Sequence, residues 1–210
     1  MIFKICGIKD ISTILCCEKN NVNFFGLIFF QKSPRNVSIE IAIKLTNFAQ
    51  KLRIRPVGVF VNKNIEEIKN TISILNLSYI QLHGEEDEHY ITDLKKNFRL
   101  KIIKKISISV EKDIDKIKNF SGVDYFLFDY KPKINELPGG NAKKFDWSLL
   151  TDIKLGKPWF LSGGINETNI NTIKNYINPN GIDLSSGVEE APGIKNNIKI
   201  NSLFKKYYEK

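Results

Sequence analysis

Cysteine, histidine and methionine are scarce in this 210-residue chain, with three, two and one copies respectively. Cys6, Cys16 and Cys17 are odd in number and two are adjacent, which excludes a disulfide framework and points to a reducing, cytoplasmic setting. No Cys-x-x-Cys or His-x3-His spacing occurs, so no metal site is expected. No apolar run approaches the roughly 20 residues that cross a bilayer. The most apolar stretch, Phe24 to Phe30, has the length of a buried strand. Met1-Ile2-Phe3-Lys4-Ile5-Cys6 lacks the design of a signal peptide. No linker, low-complexity tract or composition break divides the chain, so residues 1–210 read as one domain.

A balanced charge is also lacking: the formal net charge is +9. That invites a nucleic-acid reading, but the pairs Lys95–Lys96, Lys104–Lys105, Lys143–Lys144 and Lys205–Lys206 are far apart, with acidic residues between them. There is no arginine-rich tract and no basic stretch interleaved with aromatics. Together with abundant Ile and Asn, the lysines read as compositional drift on outer helices. No nucleic-acid and no membrane partner is expected, although positive potential favours an anionic substrate.

Short apolar runs alternate with segments of helical period. The runs fall at Ile2–Ile5, Phe25–Phe29, Val57–Val61, Tyr79–Leu82, Leu100–Ile103, Tyr125–Phe128, Trp159–Leu161 and Ile182–Leu184. Continuous apolar runs of this length suit parallel strands buried on both faces. Between them, Ile41, Leu45, Phe48 and Leu52 make one helical stripe, and Ile65, Ile68, Ile72 and Leu75 another, entered by Asn64 with Glu67 three residues on. Val110, Ile114 and Ile117 follow, then Ile170, Ile173 and Ile177 behind Asn166 as an expected N-cap, then Ile200, Leu203, Phe204 and Tyr207. A short helix is expected near Trp147–Leu150. Eight strands, with no glycine-rich dinucleotide fingerprint after the first, favour a closed α/β architecture, a single (β/α)₈ barrel, over an open doubly wound sheet.

In such a barrel the chemistry sits at the C-terminal ends of the strands. Cys6 ends the first run, Gln81-Leu82-His83-Gly84 the fourth and Asp129 the sixth. Gly163-Gly164 follows the seventh run and Ser185-Ser186-Gly187 the eighth. Glycines there let backbone amides approach an anion, and loops at these two strands frequently hold phosphate. Taken singly, each residue has an ordinary reading: Cys6 a buried thiol, Asp129 a turn residue, His83 a structural histidine, Arg35 a surface cation. Cys6 as a base needs its thiolate stabilised by nearby positive charge, and Lys4 shares its strand face. Lys104 could point into the barrel mouth, though Lys105 beside it leaves the direction open. Cys16 and Cys17 read as packing residues.

These residues also lie within an ordered set of motifs. The set comprises Lys4-Ile5-Cys6-Gly7-Ile8, Gly26-Leu27-Ile28-Phe29, Lys32-Ser33-Pro34-Arg35, Val57-Gly58-Val59-Phe60-Val61-Asn62, Gln81-Leu82-His83-Gly84-Glu85, Gly139-Gly140 with Phe145-Asp146-Trp147, Leu161-Ser162-Gly163-Gly164, and Asp183-Leu184-Ser185-Ser186-Gly187-Val188-Glu189. With this set the chain resembles the phosphoribosylanthranilate isomerases, TIM-barrel enzymes of tryptophan biosynthesis. The resemblance implies an Amadori rearrangement of N-(5-phosphoribosyl)anthranilate, aminoaldose to aminoketose, without cofactor or metal. It implies Asp129 as the general acid that opens the ribose ring and Cys6 as the general base at the sugar's second carbon. It implies Arg35 on the anthranilate carboxylate, with Gln81, His83, Gly163, Gly164, Ser185, Ser186 and Gly187 in the substrate site and phosphate loops. A monomer is expected over a homodimer. Asn141-Ala142 departs from the family, which typically has a second glycine-containing pair there; the change could stiffen the loop after Asp129.

Three rival readings compete with this one. The related isomerase of histidine biosynthesis uses two aspartates, one at the position of Cys6. A nucleic-acid-binding protein would show steeply salt-dependent binding. A degenerate barrel is opposed by the presence of Cys6, Asp129 and Arg35.

Overall fold

The computed structural model describes residues 1–151 and 153–209. The apolar runs become eight strands: β1 (Ile2–Cys6), β2 (Phe24–Ile28), β3 (Arg55–Phe60), β4 (Tyr79–Leu82), β5 (Lys101–Ile108), β6 (Tyr125–Tyr130), β7 (Trp159–Leu161) and β8 (Gly181–Leu184). Each pairs with the next in sequence, and β8 returns to β1 in parallel register from Ile2↔Gly181 to Ile5↔Leu184, closing the barrel. Among the described residues six α-helices lie outside it: α1 (Ile11–Lys19), α2 (Ile39–Ala49), α3 (Ile65–Leu75), α4 (Glu88–Asn97), α5 (Ile170–Tyr176) and α6 (Asn197–Tyr208). After β8 the chain makes a small antiparallel hairpin, β9 (Glu189–Ala191) and β10 (Ile194–Lys195), before entering α6. Among the described residues no helix is long and apolar enough to cross a membrane.

Helix starts follow from side chains that satisfy first-turn amides. Asp10 accepts from Thr13 N at 2.8 Å, and Asp87 from Tyr90 N at 2.9 Å. Asn64 caps α3 by accepting from Glu66 N, while Glu67 turns outward to pair with Lys63. Asn166 does not cap α5. Its side chain closes a turn onto Thr168, and Asn169 stands at the cap position. The Val110–Ile117 stripe forms a 3₁₀ segment, Glu111–Asn119, tied down by the Asp113 carboxylate, which accepts from the amides of Ser109 and Val110.

The core has two layers. The larger joins the outer strand faces to the helices. The smaller, Phe24, Val57, Ile103, Leu127 and Phe160 with Ile2, Tyr79 and Tyr125 against it, plugs the inside of the barrel at its N-terminal end. Side chains alternate along a strand, so the residues two and four steps beyond this plug also face inward. They are Lys4 and Cys6 on β1, Gln81 and then His83 on β4, Lys105 and Ser107 on β5, Asp129 on β6, and Asp183 on β8. An apolar floor thus supports a polar upper interior.

Candidate active site

Lys4 and Asp183 occupy the middle of the barrel, where the β1–β8 register sets them side by side. The Lys4 ammonium meets both Asp183 oxygens, at 3.0 and 2.9 Å, and the lysine is fully buried. Burial works against its charge, but Asp183 and Cys6 together hold the ammonium above its ordinary range. Cys6 lies one step above. Burial pushes its thiol up; Lys4 and Lys195 pull it back, and Asp183 opposes them.

Asp129 rises from β6 across the same cavity. One of its carboxylate oxygens accepts from Tyr130 N at 2.8 Å, and the other lies 3.5 Å from His83 Nε2. His83 Nδ1 lies 2.7 Å from Gln81 Nε2, and its Nε2 lies 3.2 Å from the Pro138 carbonyl. With the Gln81 amide donating, the ring proton sits on Nε2, directed at Pro138 and Asp129. Burial lowers the His83 pKa, so the ring is neutral near pH 7.

Cys6, Arg35, Gln81, His83, Asp129, Ser162, Asp183 and Ser185 line one cavity of about 60 Å³. A second, of about 30 Å³, lies between Gly163-Gly164 and Ser185-Ser186. Gly163 and Gly164 have positive φ, +90° and +68°, the backbone region that glycine enters without strain. The amides of Gly164, Ser186 and Gly187 make no hydrogen bond to another described backbone group, leaving donors suited to an anion. Both spaces are far smaller than the roughly 300 Å³ at the low end for ligand sites. They are roofed by the loop after β6, whose Leu137, Pro138, Gly139 and Gly140 line the larger one. A side chain at Gly139 would strike His83, and one at Gly140 would strike Arg35. Substrate entry therefore requires this loop to lift.

Arg35 does clamp a carboxylate with two nitrogens, but the carboxylate is the protein's own Glu189: Nε to Oε1 at 2.8 Å and a terminal nitrogen to Oε2 at 2.6 Å. Lys104 turns away from the mouth to Glu86, at 2.9 Å, and the Gly84 carbonyl. Lys105 is the one that faces the barrel interior, and no ion pair engages it among the described residues. Cys17 is buried in packing, and Cys16 reaches the Asn197 carbonyl. Sequence alone does not single out Glu189 and Lys195, because only the hairpin after β8 brings Glu189, with Lys195 on it, beside Arg35, 154 positions before Glu189.

Ala142 in the roof loop has φ +55°, a left-handed conformation that costs an alanine about 1 kcal/mol relative to glycine. Ala142→Gly is expected to relieve that strain in the shut, substrate-excluding loop and so to raise KM by about three- to five-fold; an unchanged or lowered KM would show that the strain does not bear on closure.

Comparison with known proteins places these features in a family. The family model described as N-(5'phosphoribosyl)anthranilate (PRA) isomerase matches residues 3–206. A protein of Paramagnetospirillum magneticum named N-(5'-phosphoribosyl)anthranilate isomerase is 38% identical over 204 residues, covering 96% of this chain and 94% of the relative. The crystal structure of phosphoribosyl anthranilate isomerase from Thermotoga maritima superposes with a TM-score of 0.86 at 31% identity, covering 99% of this chain and 98% of that one. Another structure of such an enzyme, in complex with reduced 1-(o-carboxyphenylamino)-1-deoxyribulose 5-phosphate, gives 0.83 at 30% identity with the same coverage.

Proposed function

Since the chain belongs to the N-(5'-phosphoribosyl)anthranilate isomerase family, enzymes of tryptophan biosynthesis, we propose that it carries out the family's rearrangement with Asp129 as general acid and Cys6 as general base. The observation that carries this assignment is that the two side chains, from β6 and β1, border one cavity beneath a closing loop.

The ring oxygen of the ribose takes the Asp129 proton as its bond to the first sugar carbon breaks, and the nitrogen lone pair forms the C=N bond. The Cys6 thiolate then removes the proton from the second carbon, and those electrons pass toward the nitrogen to give an enolamine. Loss of the enol proton and protonation of the first carbon yield the aminoketose. The acid and base each act on a separate atom of one positioned substrate, which is the arrangement that makes such transfers efficient. His83, neutral and directed at Asp129, orients that carboxyl. The phosphate fits the amides of Gly164, Ser186 and Gly187, with Gly163 and Ser185 shaping the two loops. The substrate carboxylate fits the guanidinium of Arg35, whose other edge stays on Glu189. Every group in this reading comes from one chain, so a monomer suffices. The three free cysteines support a cytoplasmic setting.

Asp129→Asn is expected to abolish ring opening and to lower turnover by about 10²- to 10⁴-fold, because the amide keeps the shape and loses the transferable proton. Turnover within a few fold of wild type would remove Asp129 from the acid role.

A further inference from the structure

Two cations share one carboxylate beside Cys6. Glu189 holds Arg35 through both of its oxygens and also accepts from Lys195 Nζ on Oε1 at 2.6 Å. The side chains of Arg35, Glu189 and Lys195 are 4%, 4% and 1% exposed, so this triad carries a buried formal charge of +1. A buried net charge is unfavourable unless an anion completes it. The other ion pair near the thiol, Lys4 with Asp183, cancels. His83, across the cavity on β4, is neutral, and Asp129 on β6 is held by Tyr130 N and His83. Lys199 reaches the Glu189 carbonyl from the outer side of the hairpin. Lys105, on β5, also faces the interior, but its charge acts on His83 and Asp129 rather than on the thiol, so the surplus positive charge on the Cys6 side comes from the triad.

Ser185 links Lys195 to the backbone of Cys6. Its ammonium lies 3.2 Å from the Ser185 carbonyl and 3.3 Å from Oγ, and that Oγ donates to the Cys6 carbonyl at 3.1 Å. We propose that Lys195 is a positioning residue for the reaction, placed by the β9–β10 hairpin so that the surplus charge of its triad stabilises the Cys6 thiolate. The hairpin, which lies outside the barrel, thereby sets the strength of the base. This rests on Cys6 being that base. The direction of the effect follows from charge: Lys195 opposes the upward push that burial gives the thiol, while burial pulls the Lys195 ammonium below its ordinary range against the hold of Glu189 and Cys6.

Lys195→Met is the informative substitution, because it leaves Arg35 and Glu189 as a neutral pair and orphans no buried charge. Glu189→Gln does the reverse, leaving two cations and no anion. Iodoacetamide modification of the Cys6 peptide, followed by mass spectrometry across pH, reports the thiol titration; kcat/KM against pH reports the same group in the free enzyme. In Lys195→Met both curves are expected to move to higher pH by about one unit, giving about ten-fold slower alkylation and about ten-fold lower kcat/KM at neutral pH, recovered at high pH. In Glu189→Gln the alkylation curve is expected to move to lower pH; should that variant not fold, Lys195→Met decides alone. An unmoved thiol titration in Lys195→Met, or an equal loss of activity at every pH, overturns the role of Lys195. An active Cys6→Ala enzyme would instead overturn the base assignment beneath it, so the two failures are distinct.

Discussion

Cys6→Ala is expected to reduce turnover of N-(5'-phosphoribosyl)anthranilate by about 10³-fold while KM stays within about two-fold of wild type. The thiol contributes little to binding: Cys6 is a small side chain at the end of β1, and the carboxylate and phosphate of the substrate are assigned to Arg35 and the glycine loops. Its removal leaves the Lys4–Asp183 pair intact, Lys4 keeping both carboxylate oxygens. Stability should therefore fall by no more than about 1 kcal/mol, the scale of deleting one small buried group. Cys6→Ser sharpens the test. The hydroxyl nearly keeps the shape but is far less acidic than a thiol, so its activity should also fall by orders of magnitude. A serine variant close to wild type would show that geometry rather than thiolate chemistry matters at this position.

Lys4→Met should have the largest effect on stability. It leaves the Asp183 carboxylate buried without its cation, and removing one partner of a buried pair costs about 3–5 kcal/mol. At this chain length that corresponds to a fall of roughly 10 °C in Tm. The loss should depend on pH. Burial already pushes the Asp183 carboxyl up, and without Lys4 it rises further above its unfolded value. Between the unfolded and folded pKa values the folded state binds more protons, so stability declines as pH rises through that window. The deficit should be greatest near neutral pH and shrink toward pH ~4. Thermal melts of Lys4→Met and Lys4→Met/Asp183→Val check this: the double variant should recover most of the loss, because it buries no unpaired charge. A double variant as unstable as the single one would place the cost in packing.

The strands were legible because parallel strands covered on both faces are mostly apolar, with polar residues confined to the upper interior, and Tyr79–Leu82 and Trp159–Leu161 match β4 and β7 residue for residue. Helix α4 was not legible: only Ile91 and Leu94 are buried on it, too few to draw a stripe. Strand β5 extends through Lys104–Lys105, and which lysine faces inward turns on a one-residue register that composition does not reveal. Packing resolves it, since Ile103 joins the interior plug and Lys105 follows two residues later. Cys6, Asp129 and the glycine loops could be found from their places at strand ends. The pairing of Arg35 with Glu189 could not, because Glu189 gains its meaning only when the hairpin folds back over the mouth. The strain at Ala142 likewise required the backbone angle, although the departure from glycine at that point of the loop was visible in sequence.

The most direct test mixes purified protein with freshly generated N-(5'-phosphoribosyl)anthranilate and follows the loss of its anthranilate fluorescence, comparing wild type with Cys6→Ala and Asp129→Asn. Rapid loss with wild type, and almost none above the spontaneous background with either variant, is the result that this account predicts. Loss at the wild-type rate in either variant, or no loss with folded wild-type protein, would contradict it.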